Sequence, residues 1–93
     1  MVVLTAGAAI AWTAISCTAF IPPSACVAIF WCQTTAKGTE FRRTGDTIRM
    51  KSVRSGACET FDLITNTSQS IDYKNKAAGG STDVSVVGYY LNL

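Results

Sequence analysis

The sequence predicts an α+β fold, an N-terminal apolar helical hairpin packed on a four- to five-stranded antiparallel sheet. Two observations carry that expectation. Residues 1–36 hold no charged side chain, the first being Lys37, and a stretch so apolar has to be covered by protein, by lipid or by copies of itself. The eight basic and six acidic residues all fall between Lys37 and Asp83, where short extended runs alternate with turn residues, as in an antiparallel sheet.

The N-terminal segment is divided by Pro22 and Pro23, which remove two backbone donors and push the residue before them out of the helical region. Residues 2–20 therefore read as a first helix and residues 25–36 as a second. Ser24 is placed to cap the second helix, and Gly38 stands where a helix C-terminus takes a left-handed residue. At about 18 and 12 residues, neither helix matches the roughly 20 that a bilayer core requires, so the hairpin is expected to be buried against the sheet. Ile10 and Ile29 lie in that buried pair, and a charge at either should abolish folding. No positively charged region precedes the apolar stretch, so it reads as part of the mature molecule and not as a signal peptide.

From residue 39 onwards the expected elements are extended. Residues 39–43 form a strand, and Thr44-Gly45-Asp46 turns the chain. Residues 47–54, 58–65 and 69–74 follow as strands separated by Ser55-Gly56 and by residues 66–68. Asn66 also fits a glycosylation acceptor pattern, which permits modification without implying it. Ala77-Ala78-Gly79-Gly80 belongs to a loop. Residues 83–93 are apolar at both parities and read as a strand in the middle of a sheet, or under a cover on each face. The whole is one domain of 93 residues, with residues 1–36 as hairpin and 37–93 as the β part.

Four cysteines, Cys17, Cys26, Cys32 and Cys58, in so short a chain argue for two disulfides and an oxidising, secreted setting. A fold about the prolines favours Cys17–Cys26 with Cys32–Cys58 among the three pairings. The intervening spacings contain no CxxC pair and the chain has no histidine, so no metal site and no cofactor is expected. The missing histidine also removes the usual triads. Glu59 with Asp62 or Asp72 is the remaining carboxylate pair, and nothing beside them would hold a substrate, so no catalytic residue and no enzyme activity is assigned.

The basic residues Arg42, Arg43, Arg49, Lys51 and Arg54 form a band next to the apolar segment, which suits an anionic membrane surface. Trp12, Phe30 and Trp31 are the aromatic anchors for such a contact. With a net charge of +2 and only Phe41 interleaved in the band, nucleic acid is not the expected partner.

Ala/Gly-rich apolar helices at residues 2–20 and 25–36, spaced cysteines and a charge-bearing antiparallel sheet resemble the small secreted killer toxins of yeasts and other fungi. That resemblance is one of layout, and no functional residue carries over by position. It implies a disulfide-containing toxin that acts on target-cell membranes, anionic lipid being the partner. Two alternatives stand beside it. One is a filament subunit of the type IV pilin kind, self-associating through its apolar N-terminal helix, although Thr5 stands where many pilins carry an acid. The other is a secreted binding module.

Overall fold

The computed structural model describes residues 1–22, 25–35, 37–65 and 69–91. Pro23, Ser24 and Asn66 lie outside the described residues, and so do the proline bend, the helix cap and the acceptor site expected there.

The fold is all-β, and the predicted helical hairpin does not form: no helix occurs among the described residues. Eight strands are present, β1 (Val2–Gly7), β2 (Thr13–Ser16), β3 (Ala25–Thr34), β4 (Thr39–Arg43), β5 (Lys51–Val53), β6 (Cys58–Ile64), β7 (Ser70–Asn75) and β8 (Thr82–Leu91). The first helix is thus replaced by β1 and β2 and the second by β3. Residues in this region favour strands on local grounds, because Val2, Val3, Thr5, Thr13, Ile15, Val27, Ile29, Phe30 and Trp31 are β-branched or aromatic. The extended runs expected at 39–43 and 58–65 coincide closely with β4 and β6. Only the end of the run expected at 47–54 pairs, as β5.

The strands form two antiparallel sheets in the orders β1-β8-β3-β6 and β2-β7-β4-β5. Four hairpin-like pairs, β1 with β8, β2 with β7, β3 with β6 and β4 with β5, make one long ribbon. The ribbon winds on itself, so that β8 also pairs with β3 and β7 with β4. This is the order of a jelly roll. It places β1, β3, β5 and β7 running towards one end of the sandwich, and the turns that follow them are gathered there.

Between the sheets Phe61 touches both Phe30 and Phe41, with ring centroids at 5.7 and 4.9 Å. Ile15, Ile71, Val53, Leu63, Val84 and Val86 belong to the same core. Near the gathered turns, the buried Asn75 donates through Nδ2 to the carbonyls of Gly7 and Gly80, and its Oδ1 accepts from the hydroxyls of Thr39 and Thr82. One amide therefore satisfies polar groups from both sheets where the core runs out. Gly7 lets the chain pass from one sheet to the other, since a Cβ there would come within 2.6 Å of Leu4 and of the Tyr73 hydroxyl.

Candidate functional site

Three surface regions follow from this architecture, and each gathers residues that the sequence had grouped differently.

The first is the outer face of the β1-β8-β3-β6 sheet. Along β3 the side chains of Ala28, Phe30, Cys32 and Thr34 are buried in the core, so Val27, Ile29, Trp31 and Gln33 point outward. Register brings Ile64 and Tyr90 beside Val27, Asp62 and Gly88 beside Ile29, and Thr60 and Ser85 beside Trp31. Val2 lies beyond Ser85 on β1. Ile64, Tyr90 and Val2 are 43%, 54% and 60% exposed. A bulge at Val87, opposite the step from Ile29 to Phe30, leaves that side chain exposed as well. No lysine or arginine occurs in any of these four strands. The outward charges are Asp62, on the edge strand, and Asp83, near a strand end, where its carboxylate accepts the Ala6 N–H at 2.7 Å. The centre of the face is uncharged, and its two acids stand at the margin.

The second region is the outer face and the edges of the β2-β7-β4-β5 sheet, where the expected basic band is taken up in ion pairs. Arg42 bonds the buried carboxylate of Asp72 at 2.8 Å, and Thr44 donates to the same group. Arg43 pairs with Asp46, Arg49 with Glu40 and Lys51 with Glu59. Arg54 alone of the five has no such partner among the described residues. The three expected aromatic anchors are dispersed. Phe30 is in the core, Trp31 is on the opposite sheet, and Trp12 has Arg42 and Lys74 against its ring at 4.4 and 4.9 Å. These residues do not form one surface.

The third region is the end where the turns after β1, β3, β5 and β7 meet. Hydrogen bonds run from Lys76 N to Gly38 O, from Gly56 N to Thr35 O and from Thr35 N to Ser81 O. Lys37, Arg54 and Lys76 project from these laced turns, all exposed.

No disulfide is formed among the described residues, and the expected pairing is corrected accordingly. Cys17 and Cys32 are buried free thiols, and Cys58 is an exposed one. Cys32 pairs in register with Glu59, whereas Cys58 lies beside Gln33 one position along. In a pleated sheet that offset puts Cys32 on the core face and Cys58 on the solvent face, so their sulfurs point apart. The Cys26 side chain lies outside the described residues. The oxidising setting inferred from an even cysteine count loses its premise at Cys17, Cys32 and Cys58.

For catalysis the described residues offer little. Asp72 is committed to Arg42 and Thr44, Glu59 to Lys51, and Asp62 lies on the opposite face from Asp72. A hollow of about 460 Å³ is lined by Asp46, Thr47, Ile48, Arg49 and Met50, neighbours in a single loop. Side chains from one loop cannot close around a substrate from several directions. No protein-family model matches the chain, and no curated protein matches it.

Proposed function

We propose that this protein is a non-enzymatic assembly module, a jelly roll that pairs with a second copy of itself through the outer face of the β1-β8-β3-β6 sheet. The observation that carries the reading is the apolar centre of that face, with Val27, Ile29 and Trp31 on the solvent side of a strand whose other side is already the core. Jelly rolls recur in viral capsids, lectins and cupins, so the architecture by itself selects no role.

A copy of the same chain is the fitting occupant for two reasons. Four strands at about 4.8 Å spacing and up to ten residues at about 3.3 Å rise give a face of roughly 600 Å² in plan, close to the ~800 Å² of accessible surface per partner in a standard interface. The distribution is also that of an interface, with an uncharged core and its two acids at the rim. A two-fold axis in the plane of the interface, parallel to the strands and between β3 and β8, keeps the Asp62 side chains of the two copies at opposite margins.

The apolar helical hairpin expected beside the basic band does not form. In the sandwich the same residues are β1, β2 and β3, each hydrogen-bonded into a sheet, and freeing them would break the ladders of both sheets. The function is therefore argued from the assembled face.

Sedimentation of the wild type and of Ile29→Lys tests the proposal. The wild type should sediment as a dimer at tens of micromolar and dissociate on dilution. Ile29→Lys should be a folded monomer with unchanged circular dichroism, since a lysine on an outward position can carry its charge to solvent. A monomeric wild type, or a variant as dimeric as the wild type, removes the reading.

A further inference from the structure

From the charge placement at the laced turns we infer that this end of the sandwich is a docking surface for an anionic lipid headgroup layer. Among the described residues, five of the eight cations have a carboxylate partner: Arg42, Arg43, Arg49, Lys51 and Lys74. The three without one are Lys37, Arg54 and Lys76, and all three stand on turns at the same end. They come from sequence positions far apart, so only the fold brings them together.

The turns that carry them are fixed to one another. Besides the backbone bonds already described, Thr34 Oγ1 donates to Arg54 O at 3.0 Å, and the Ser81 N–H donates to Thr35 Oγ1 at 2.9 Å. Gly38, at φ +73°, has no room for a side chain: a Cβ would lie 2.9 Å from Val53 O and 3.3 Å from Lys76 Cδ. Lys37 in turn lies along the Gly79–Gly80 backbone, its Cβ 2.9 Å from where a Gly80 Cβ would be. The stems of Lys37 and Lys76 thus lie beside neighbouring turns, which are themselves tied together by hydrogen bonds.

Two features favour a headgroup layer over a soluble polyanion. Ile10 is 60% exposed at this same end, where the Asn75 N–H bonds to Ala9 O, one residue before it. An exposed apolar residue at the same end as unpaired cations matches an interface that has charge at its surface and hydrocarbon beneath. The three cation-bearing turns hold no aromatic side chain on which bases or sugar rings could stack, and the Trp12 ring, in the turn after β1, is already stacked against Arg42 and Lys74. The acids nearest to them in sequence are committed elsewhere, Glu40 to Arg49 and Lys74, Glu59 to Lys51 and Asp72 to Arg42, and Asp83 accepts the Ala6 N–H on the outer face of the β1-β8-β3-β6 sheet.

The surface is distinct from the proposed pairing face, and its test does not depend on pairing. Co-sedimentation of the full chain is measured with vesicles of phosphatidylcholine alone and with 30% phosphatidylserine, for three proteins. These are the wild type, a Lys37→Gln/Arg54→Gln/Lys76→Gln triple variant that keeps long polar stems, and an Arg43→Gln/Arg49→Gln control that removes two paired cations. Binding to the anionic vesicles should weaken with salt. It should fall on the order of 100-fold in the triple variant, at roughly five-fold per cation, and less than three-fold in the control. Equal losses in the two variants, or no loss in the triple, would overturn the inference. Binding of the same three residues to heparin or polyphosphate without any binding to the vesicles would overturn it too, in favour of a soluble polyanion. Matching thermal melts of the three proteins serve as the check on folding.

Discussion

Cys17 and Cys32 point into the core, where burial pushes both thiols up to about 11 from an ordinary 9.0. For Cys32 a hydrogen bond to the Glu59 backbone opposes the shift, and the charge of Glu59 adds to it. The consequence for stability has a definite sign. Well below pH 9 both thiols are neutral in the folded and the unfolded chain, and their contribution is fully present. As the pH rises past 9 the unfolded chain ionises first, so stability falls until the folded thiols titrate near 11. The loss should reach roughly 2–3 kcal/mol per thiol. Urea unfolding at pH 8 and pH 11 should show that decline, and it should be smaller in a Cys17→Ala variant. An unchanged difference in that variant would mean that Cys17 is not held in the core. Single residues also show what a sequence leaves unsaid. The cysteine count was plain, but which face of a strand each sulfur takes depends on register, and one position separates the core side of Cys32 from the solvent side of Cys58.

At the scale of elements, β3 explains why helices were expected where strands formed. Its inner set (Ala28, Phe30, Cys32) and its outer set (Val27, Ile29, Trp31) are both apolar, so the alternation that marks a half-buried strand is hidden. A continuous apolar run then looks the same whether it is a buried helix or a strand with two dry faces. The C-terminal segment carried the same signature and was read as a central strand, which it is, between β1 and β3. In β4 and β6 polar residues restore the alternation, and there the strands were legible. The two faces of β3 should respond differently to substitution. Phe30→Ala opens a cavity beside Phe61 and should cost about 3–5 kcal/mol. Ile29→Thr, on the outward face, should cost the monomer less than about 1 kcal/mol and act on association instead. Chemical denaturation at a concentration low enough to hold the protein monomeric separates the two, and equal losses would show both faces to be core. Ile10, expected in a buried hairpin, is exposed at a turn, and a charge there should be tolerated.

For the whole molecule, the sequence marked the apolar N-terminal third as something that must be covered, and the sandwich covers half of it. One side of β3 and of β8 is buried against the β2-β7-β4-β5 sheet, and the other is turned outward. Charge is divided in the same way, with no lysine or arginine in the β1-β8-β3-β6 sheet and all eight in the other sheet or in the turns. Neither division could be read from the linear order, because a jelly roll joins the first strand to the last and disperses the residues of a local band over two sheets and one end. A net charge of +2 gives little repulsion to keep such apolar faces apart. Trp31, near the centre of the face, reports on its cover directly. In a Trp12→Phe protein it is the sole tryptophan, and its quenching by iodide can be followed as the protein is diluted from tens of micromolar to tens of nanomolar. Pairing through this face predicts that Trp31 is shielded at high concentration and becomes accessible on dilution, with Ile29→Lys accessible throughout. Quenching that is the same at every concentration, and the same in the variant, would contradict the account.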